Sequence, residues 1–307
     1  MVQLAAFPKC YLDAIAHERS MTVFQWIEMA APLDVDGLEM YDGFFTSRDP
    51  TYLDGIGEVI ERAGFAMPML CCSPDLTAPD ASVRAREVER EVENITIARR
   101  LGGPGAVCRV LTGQRYPETP HERALGWVVE AIRELIPVAR QHGVVLGLEN
   151  HYKDGHWRYP EFAQRQEVFM EVLMEIGDDP NFGVQFDPSN AIVAGDDPID
   201  LLDLVAQRVV SMHASDRHLV EGATLDDLRA SEGSAGYAAQ LAHGVIGEGL
   251  NDYPALFARL ASVGYRGWVS IEDGMNGMQE IERSAAFLRV NIARAFGDDG
   301  ADPGRAE

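Results

Sequence analysis

Eight times along this chain a short, β-rich apolar run ends in polar residues and gives way to a longer segment with apolar residues at three-four spacing. The runs are LAAF (4–7), VDGLEMY (35–41), FAMPMLCC (65–72), AVCRVL (106–111), VVLGLEN (144–150), FGVQFD (182–187), VVSMHA (209–214) and GWVSIED (267–273). Runs that stay apolar rather than alternating belong to strands buried on both faces, and strand-then-helix repetition builds a parallel sheet. Eight such units predict an α/β fold of one kind, a closed (β/α)₈ barrel.

The segments between the runs have readable helix ends. TVFQWIEMAAPL stops at Pro32, VRAREVEREVENITIARRL follows Asp80 and Ser82 and halts at Gly102-Gly103, and ERALGWVVEAIRELIPVARQH ends at Gly143. No composition shift or Ser/Pro-rich linker divides the chain, so residues 1–296 are expected to form one barrel and residues 297–307, GDDGADPGRAE, a disordered tail. Two long connections, HYKDGHWRYPEF after the fifth run and the stretch from Ser215 to Asp252 after the seventh, follow strand C-termini, the end of a barrel where sites form.

Composition narrows the partners. With 26 Lys+Arg against 49 Asp+Glu, the formal charge of -23 disfavours nucleic acid and anionic membrane surfaces. No apolar stretch approaches the ~20 residues that span a bilayer, and no secretory leader is evident, so a soluble cytoplasmic protein is expected. Cys10, Cys71, Cys72 and Cys108 match neither a zinc motif nor a disulfide framework and are expected as reduced thiols.

Four consecutive strands end on metal-type ligands: Glu149 on the fifth, Asp187 on the sixth, His213 on the seventh and Glu272 on the eighth. A single acidic strand end is more often a helix cap, and Asp187-Pro188-Ser189 reads as such an opening. Four in succession are hard to ascribe to capping. Adjacent staves at one rim would gather three carboxylates and one imidazole, a donor set that suits Mn²⁺, Mg²⁺, Co²⁺ or Fe²⁺ better than a structural zinc.

At these residues the sequence resembles the xylose isomerase-like TIM-barrel superfamily of sugar isomerases, epimerases and type 2 AP endonucleases, from FPK at the first strand to SIEDG at the eighth. The resemblance implies a divalent metal, often Mn²⁺, on Glu149, Asp187, His213 and Glu272. In the sugar epimerases of that group, the residues matching Glu149 and Glu272 also move the protons. Those epimerases commonly carry a His three residues after the metal Asp, where this chain has Asn190. The endonuclease branch needs further metal ligands and a basic surface, which this acidic chain lacks.

Glu149 and Glu272 are candidate bases, but a metal-bound carboxylate is less basic than a free one, so His151 is a further candidate: two positions beyond Glu149, it lies on the same side of an extended strand, and the alternative is a loop histidine bonded to nearby backbone. Lys9, Arg109, His156, Trp157, Asn190 and Arg217 are candidate substrate contacts, and Glu39 is either an outer carboxylate of the metal site or a partner for Arg109. FPKCYLDAI, ENHYK, DPSNAI, HASDR and SIEDG together are similar to the α subunits of bacterial C-glycoside deglycosidases. That resemblance implies a lyase acting on 3-oxo-glycosides, with His151 taking the C2 proton, the aglycone leaving from C1, and a small β subunit as partner. The alternatives are a metal-dependent sugar isomerase or epimerase working through the same enediolate, and a non-catalytic sugar-binding protein.

Overall fold

The computed structural model describes residues 2–230 and 239–297. Its frame is a ring of parallel strands: β1 (Gln3–Ala6), β2 in two stretches (Gly37–Leu38 and Met40–Tyr41), β3 (Met69–Cys71), β4 (Val107–Val110), β5 (Val145–Glu149), β6 (Phe182–Phe186), β7 (Val209–Ala214) and β8 (Trp268–Ile271). β1 pairs with β8 from Gln3↔Trp268 to Ala6↔Ile271 and with β2 at Ala5↔Gly37 and Ala6↔Leu38. The second stretch of β2 pairs with β3 at Met40↔Leu70, which closes the eight staves into the expected barrel. β3 starts at Met69 rather than Phe65 because Pro68 has no N–H to give to a neighbour.

Among the described residues the longer helices around the ring are α1 (Val23–Ala30), α2 (Pro50–Arg62), α3 (Ala81–Gly102), α4 (His121–His142), α5 (Gln166–Ile176), α6 (Pro198–Val205), α7 (Tyr253–Ser262) and α8 (Met278–Phe296). Asp80 caps α3 by accepting from Ser82 N at 2.7 Å, and Gly143 ends α4 at φ +64°, a conformation open to glycine without strain. Trp26, Phe169, Phe257 and Leu288 fill the layer between helices and barrel and are almost fully buried. None of these helices is long and apolar enough to cross a membrane, among the described residues. The tail expected at 297–307 lies, beyond Gly297, outside the described residues.

Two features of the ring position the site. Inward-facing residues change from apolar to ionisable toward the strand C-termini, as in Val107 then Arg109 on β4 and Val145, Gly147 then Glu149 on β5. Between β6 and β7 the register shifts, so Val184 faces Val209 while Gln185 faces Ser211. The extra residue, Val210, is a bulge that re-aims the strand end carrying His213.

One buried acid lies outside the barrel lumen. Glu91 of α3 accepts from Asn94 Nδ2 at 3.2 Å and from the Cys108 thiol at 3.5 Å. Burial pushes its carboxyl up to about 8 from 4.5. The folded chain therefore holds a proton that the unfolded chain loses, so stability falls as pH rises from 4.5 to about 8 and then levels off. Glu91→Gln removes that slope: urea denaturation should find the variant's stability relative to the parent rising by up to about 1.4 kcal/mol per pH unit in this window. A difference independent of pH would mean that Glu91 is ionised in the fold.

Candidate active site

The C-terminal rim of the barrel brings Glu149, Asp187, His213 and Glu272 together, each offering one donor atom within 4.8 Å of the others. His213 Nδ1 lies 3.2 Å from Glu149 Oε1, 3.4 Å from Glu272 Oε2 and 4.0 Å from Asp187 Oδ2. Donors bound to one ion at about 2.1 Å stand roughly 3 Å apart at right angles and roughly 4 Å apart when nearly opposite. The protein's own spacings fall in that range. Glu149, Asp187 and His213 are essentially fully buried.

Each ligand candidate is held by its local chemistry. Asp187 is indeed a cap: its Oδ1 accepts from Ser189 N (2.8 Å), Asn190 N (3.1 Å) and Ser215 Oγ (2.8 Å), opening the short helix Pro188–Ala194. That leaves Oδ2 for the cluster, so one residue serves as both cap and candidate ligand. Glu149 Oε2 takes Arg109 Nη1 at 2.7 Å, and Glu272 Oε1 takes Lys9 Nζ at 2.8 Å, leaving the other oxygen of each facing His213. Glu39 meets His213 Nε2 at 2.8 Å and makes no pair with Arg109, whose other bonds run to Cys72 O and Ser73 Oγ.

Charge crowding matches this donor set to a divalent cation. Burial, then the carboxylates of Glu272 and Glu149, push Asp187 up to about 7. Burial also pushes Glu149 upward, but Arg109, His151 and His213 outweigh it and hold that carboxyl at about 2. Three carboxylates, two of them fully buried, around one imidazole carry more negative charge than Arg109 and Lys9 settle, and a dication at their centre relieves it.

The stretch Glu149-Asn150-His151 divides three tasks. Glu149 faces the cluster, while Asn150 clamps the backbone of Asp187 by giving Nδ2 to its carbonyl (2.7 Å) and accepting its N–H (2.9 Å). His151 lines a cavity of about 430 Å³ that also meets Lys9, Arg109, His156, His243 and Glu272. Its Nδ1 is 2.9 Å from Glu161 Oε2, and Glu161 Oε1 accepts from Thr112 N (2.8 Å) and Thr112 Oγ1 (2.9 Å). Burial opposes the charge on His151, yet Glu149 and Glu161 hold its imidazole above the usual histidine range. The pair resembles a base with its orienting carboxylate.

Of the other candidate contacts, Lys9, Arg109 and His156 border the cavity, His156 meeting His17 across 3.1 Å. Trp157 borders a smaller neighbouring cavity of about 190 Å³. Asn190 gives Nδ2 to Glu149 Oε1 at 3.2 Å, and Arg217 stacks on Tyr152 at 5.1 Å from the ring centroid; neither is among the residues bordering the main cavity. Glu161 and Thr112 escaped the sequence reading because no spacing rule joins them to His151. The available signal was an acidic residue, Glu161, in a rim loop rich in aromatic rings.

Residues 27–290 match the family model described as xylose isomerase-like TIM barrel. The rhizopine catabolism protein MocC of Rhizobium meliloti is 29% identical over 246 residues, which cover 71% of this chain and 72% of that one. The 3-oxo-isoapionate decarboxylase of Pectobacterium atrosepticum is 27% identical over 241 residues, 72% of this chain and 78% of its own. Among solved structures, a D-tagatose 3-epimerase-like protein superposes with a TM-score of 0.73 at 18% identity, over 96% of this chain and 98% of the other.

Proposed function

The chain belongs to the xylose isomerase-like TIM-barrel family, and from that premise we propose that it is a divalent-metal-dependent lyase acting on 3-oxo-glycosides. The observation that carries this reading is the His151–Glu161 pair, 2.9 Å apart, whose His151 borders the same cavity as Glu272 of the ligand quartet. A relative that its name makes a decarboxylase of a 3-oxo compound agrees with bond cleavage near a ketone.

A cation on Glu149, Asp187, His213 and Glu272, with Mn²⁺ first and Mg²⁺, Co²⁺ or Fe²⁺ as alternatives, supplies a Lewis acid for a ketone and its neighbouring hydroxyl. Glu161 accepts the Nδ1 proton of His151, which leaves Nε2 as the basic nitrogen for the cavity. His151 takes the C2 proton, the C2 electron pair forms the C1–C2 double bond, and the aglycone departs with the C1 bonding pair. Lys9 and Arg109 hold the outer oxygens of Glu272 and Glu149, so these carboxylates are engaged and less suited to proton transfer. A small β subunit of the deglycosidase type, and a cytoplasmic location, belong to the same reading.

The test is to incubate Mn²⁺-loaded protein, with and without such a β subunit, with an aryl 3-oxo-C-glycoside in deuterated water. Free aglycone is the expected product, with deuterium entering C2 of recovered substrate. Interconversion of simple ketoses without release of aglycone would establish the isomerase or epimerase alternative instead.

A further inference from the structure

His213 uses its two ring nitrogens on two different sides. Nδ1 faces the three carboxylates, at 3.2, 3.4 and 4.0 Å. Nε2 points the other way, 2.8 Å from Glu39 Oε1, and the Cys71 thiol donates to the same oxygen at 2.8 Å. All three residues are at most 2% exposed, and Glu39 Oε2 has no hydrogen-bond partner among the described residues.

We propose that Glu39, held by Cys71, is a positioning residue for the metal centre: it fixes His213 in the tautomer and ring orientation that present Nδ1 to the cation. The inference rests on the reading of the quartet as a metal site. The distances separate two roles that the grouping of Glu39, Cys71 and His213 could otherwise share. Atoms that bind one ion at about 2.0–2.3 Å seldom approach closer than roughly 3 Å. At 2.8 Å, both contacts of Glu39 Oε1 are hydrogen bonds, with Nε2–H and S–H donating. The Nδ1 side has the wider spacing of co-ligands.

The energetics point the same way. A carboxylate in the barrel lumen with one oxygen unbonded costs stability that an apolar side chain would not. Its benefit is at the imidazole. A negative acceptor on Nε2–H keeps that proton in place and makes Nδ1 a stronger donor, as carboxylates behind metal-bound histidines do. The arrangement needs ring closure, because β2 supplies Glu39, β3 supplies Cys71 and β7 supplies His213, with Glu39 and His213 174 positions apart in the chain.

Glu39→Gln keeps the volume and removes the charge. Mn²⁺ titration calorimetry on the purified full chain should give one equivalent bound by the parent and an affinity lower by about 10–100-fold in the variant. Cys71→Ser, which retains a donor to Glu39, should bind within about threefold of the parent, since the charge behind His213 is unchanged. Unchanged affinity in Glu39→Gln would overturn the proposal, as would a second bound equivalent lost in Cys71→Ser. Should Glu39→Gln fail to fold, the parent decides alone: ¹⁵N spectra of the Mg²⁺-loaded protein should show His213 protonated at Nε2 and bare at Nδ1, and the reverse assignment refutes the inference. A parent that takes up no divalent ion would instead bring down the metal reading beneath it.

Discussion

Glu272→Gln is expected to abolish divalent-ion binding and turnover together. Glu272 stands one residue beyond β8, where its Oε1 is tied to Lys9 at 2.8 Å and its Oε2 faces His213 Nδ1 at 3.4 Å. The amide can still accept from Lys9, so the fold keeps that contact, but a neutral oxygen replaces one of three charged donors. Carboxylates and carbonyls behind metal ligands are worth about 10–100-fold in affinity, and a direct ligand should exceed about a hundredfold. Calorimetry and steady-state rates should fall in step. A variant that binds Mn²⁺ as tightly as the parent would remove Glu272 from the site.

Glu161→Gln should do the opposite: leave metal affinity intact and lower kcat by up to about 10⁴-fold. Glu161 is buried, with Oε1 fixed by Thr112 N and Oγ1 and Oε2 fixed on His151 Nδ1. In the amide, an N–H turned toward Nδ1 forces the imidazole proton onto Nε2, so the nitrogen available to the cavity can no longer accept one. The orienting carboxylate of a hydrolase triad shows an effect of this kind when it becomes an amide. Single-turnover rates beside Mn²⁺ calorimetry check it. Equal loss of metal would show Glu161 to be a structural support of the quartet instead.

Much of the architecture was legible because burial on both faces leaves parallel strands apolar until they reach the rim. VVLGLEN turns from Leu148 to Glu149 where the chain leaves the packed layer, and Asp187, His213 and Glu272 mark the same height on the next three staves. Gly143 gave away the end of α4 for a similarly local reason. The antiparallel hairpin of Arg217–Leu219 with Leu241–His243 was not foreseen, since a long polar connection carries no two-residue alternation.

Relations across the ring were not readable either. Nothing in the chain pairs Glu39 with His213 rather than with Arg109; the choice follows from which staves close the barrel. Asn190 illustrates a further limit. Its place after Asp187 suggested substrate contact, and its amide also reaches Glu149, because the helix opening at Pro188 turns it back toward β5.

Anomalous diffraction from a Mn²⁺-soaked crystal tests the central claim most directly. One strong peak is predicted at the rim, within about 2.3 Å of Glu149 Oε1, Asp187 Oδ2, His213 Nδ1 and Glu272 Oε2. A peak elsewhere, or none at full Mn²⁺ loading, would contradict it.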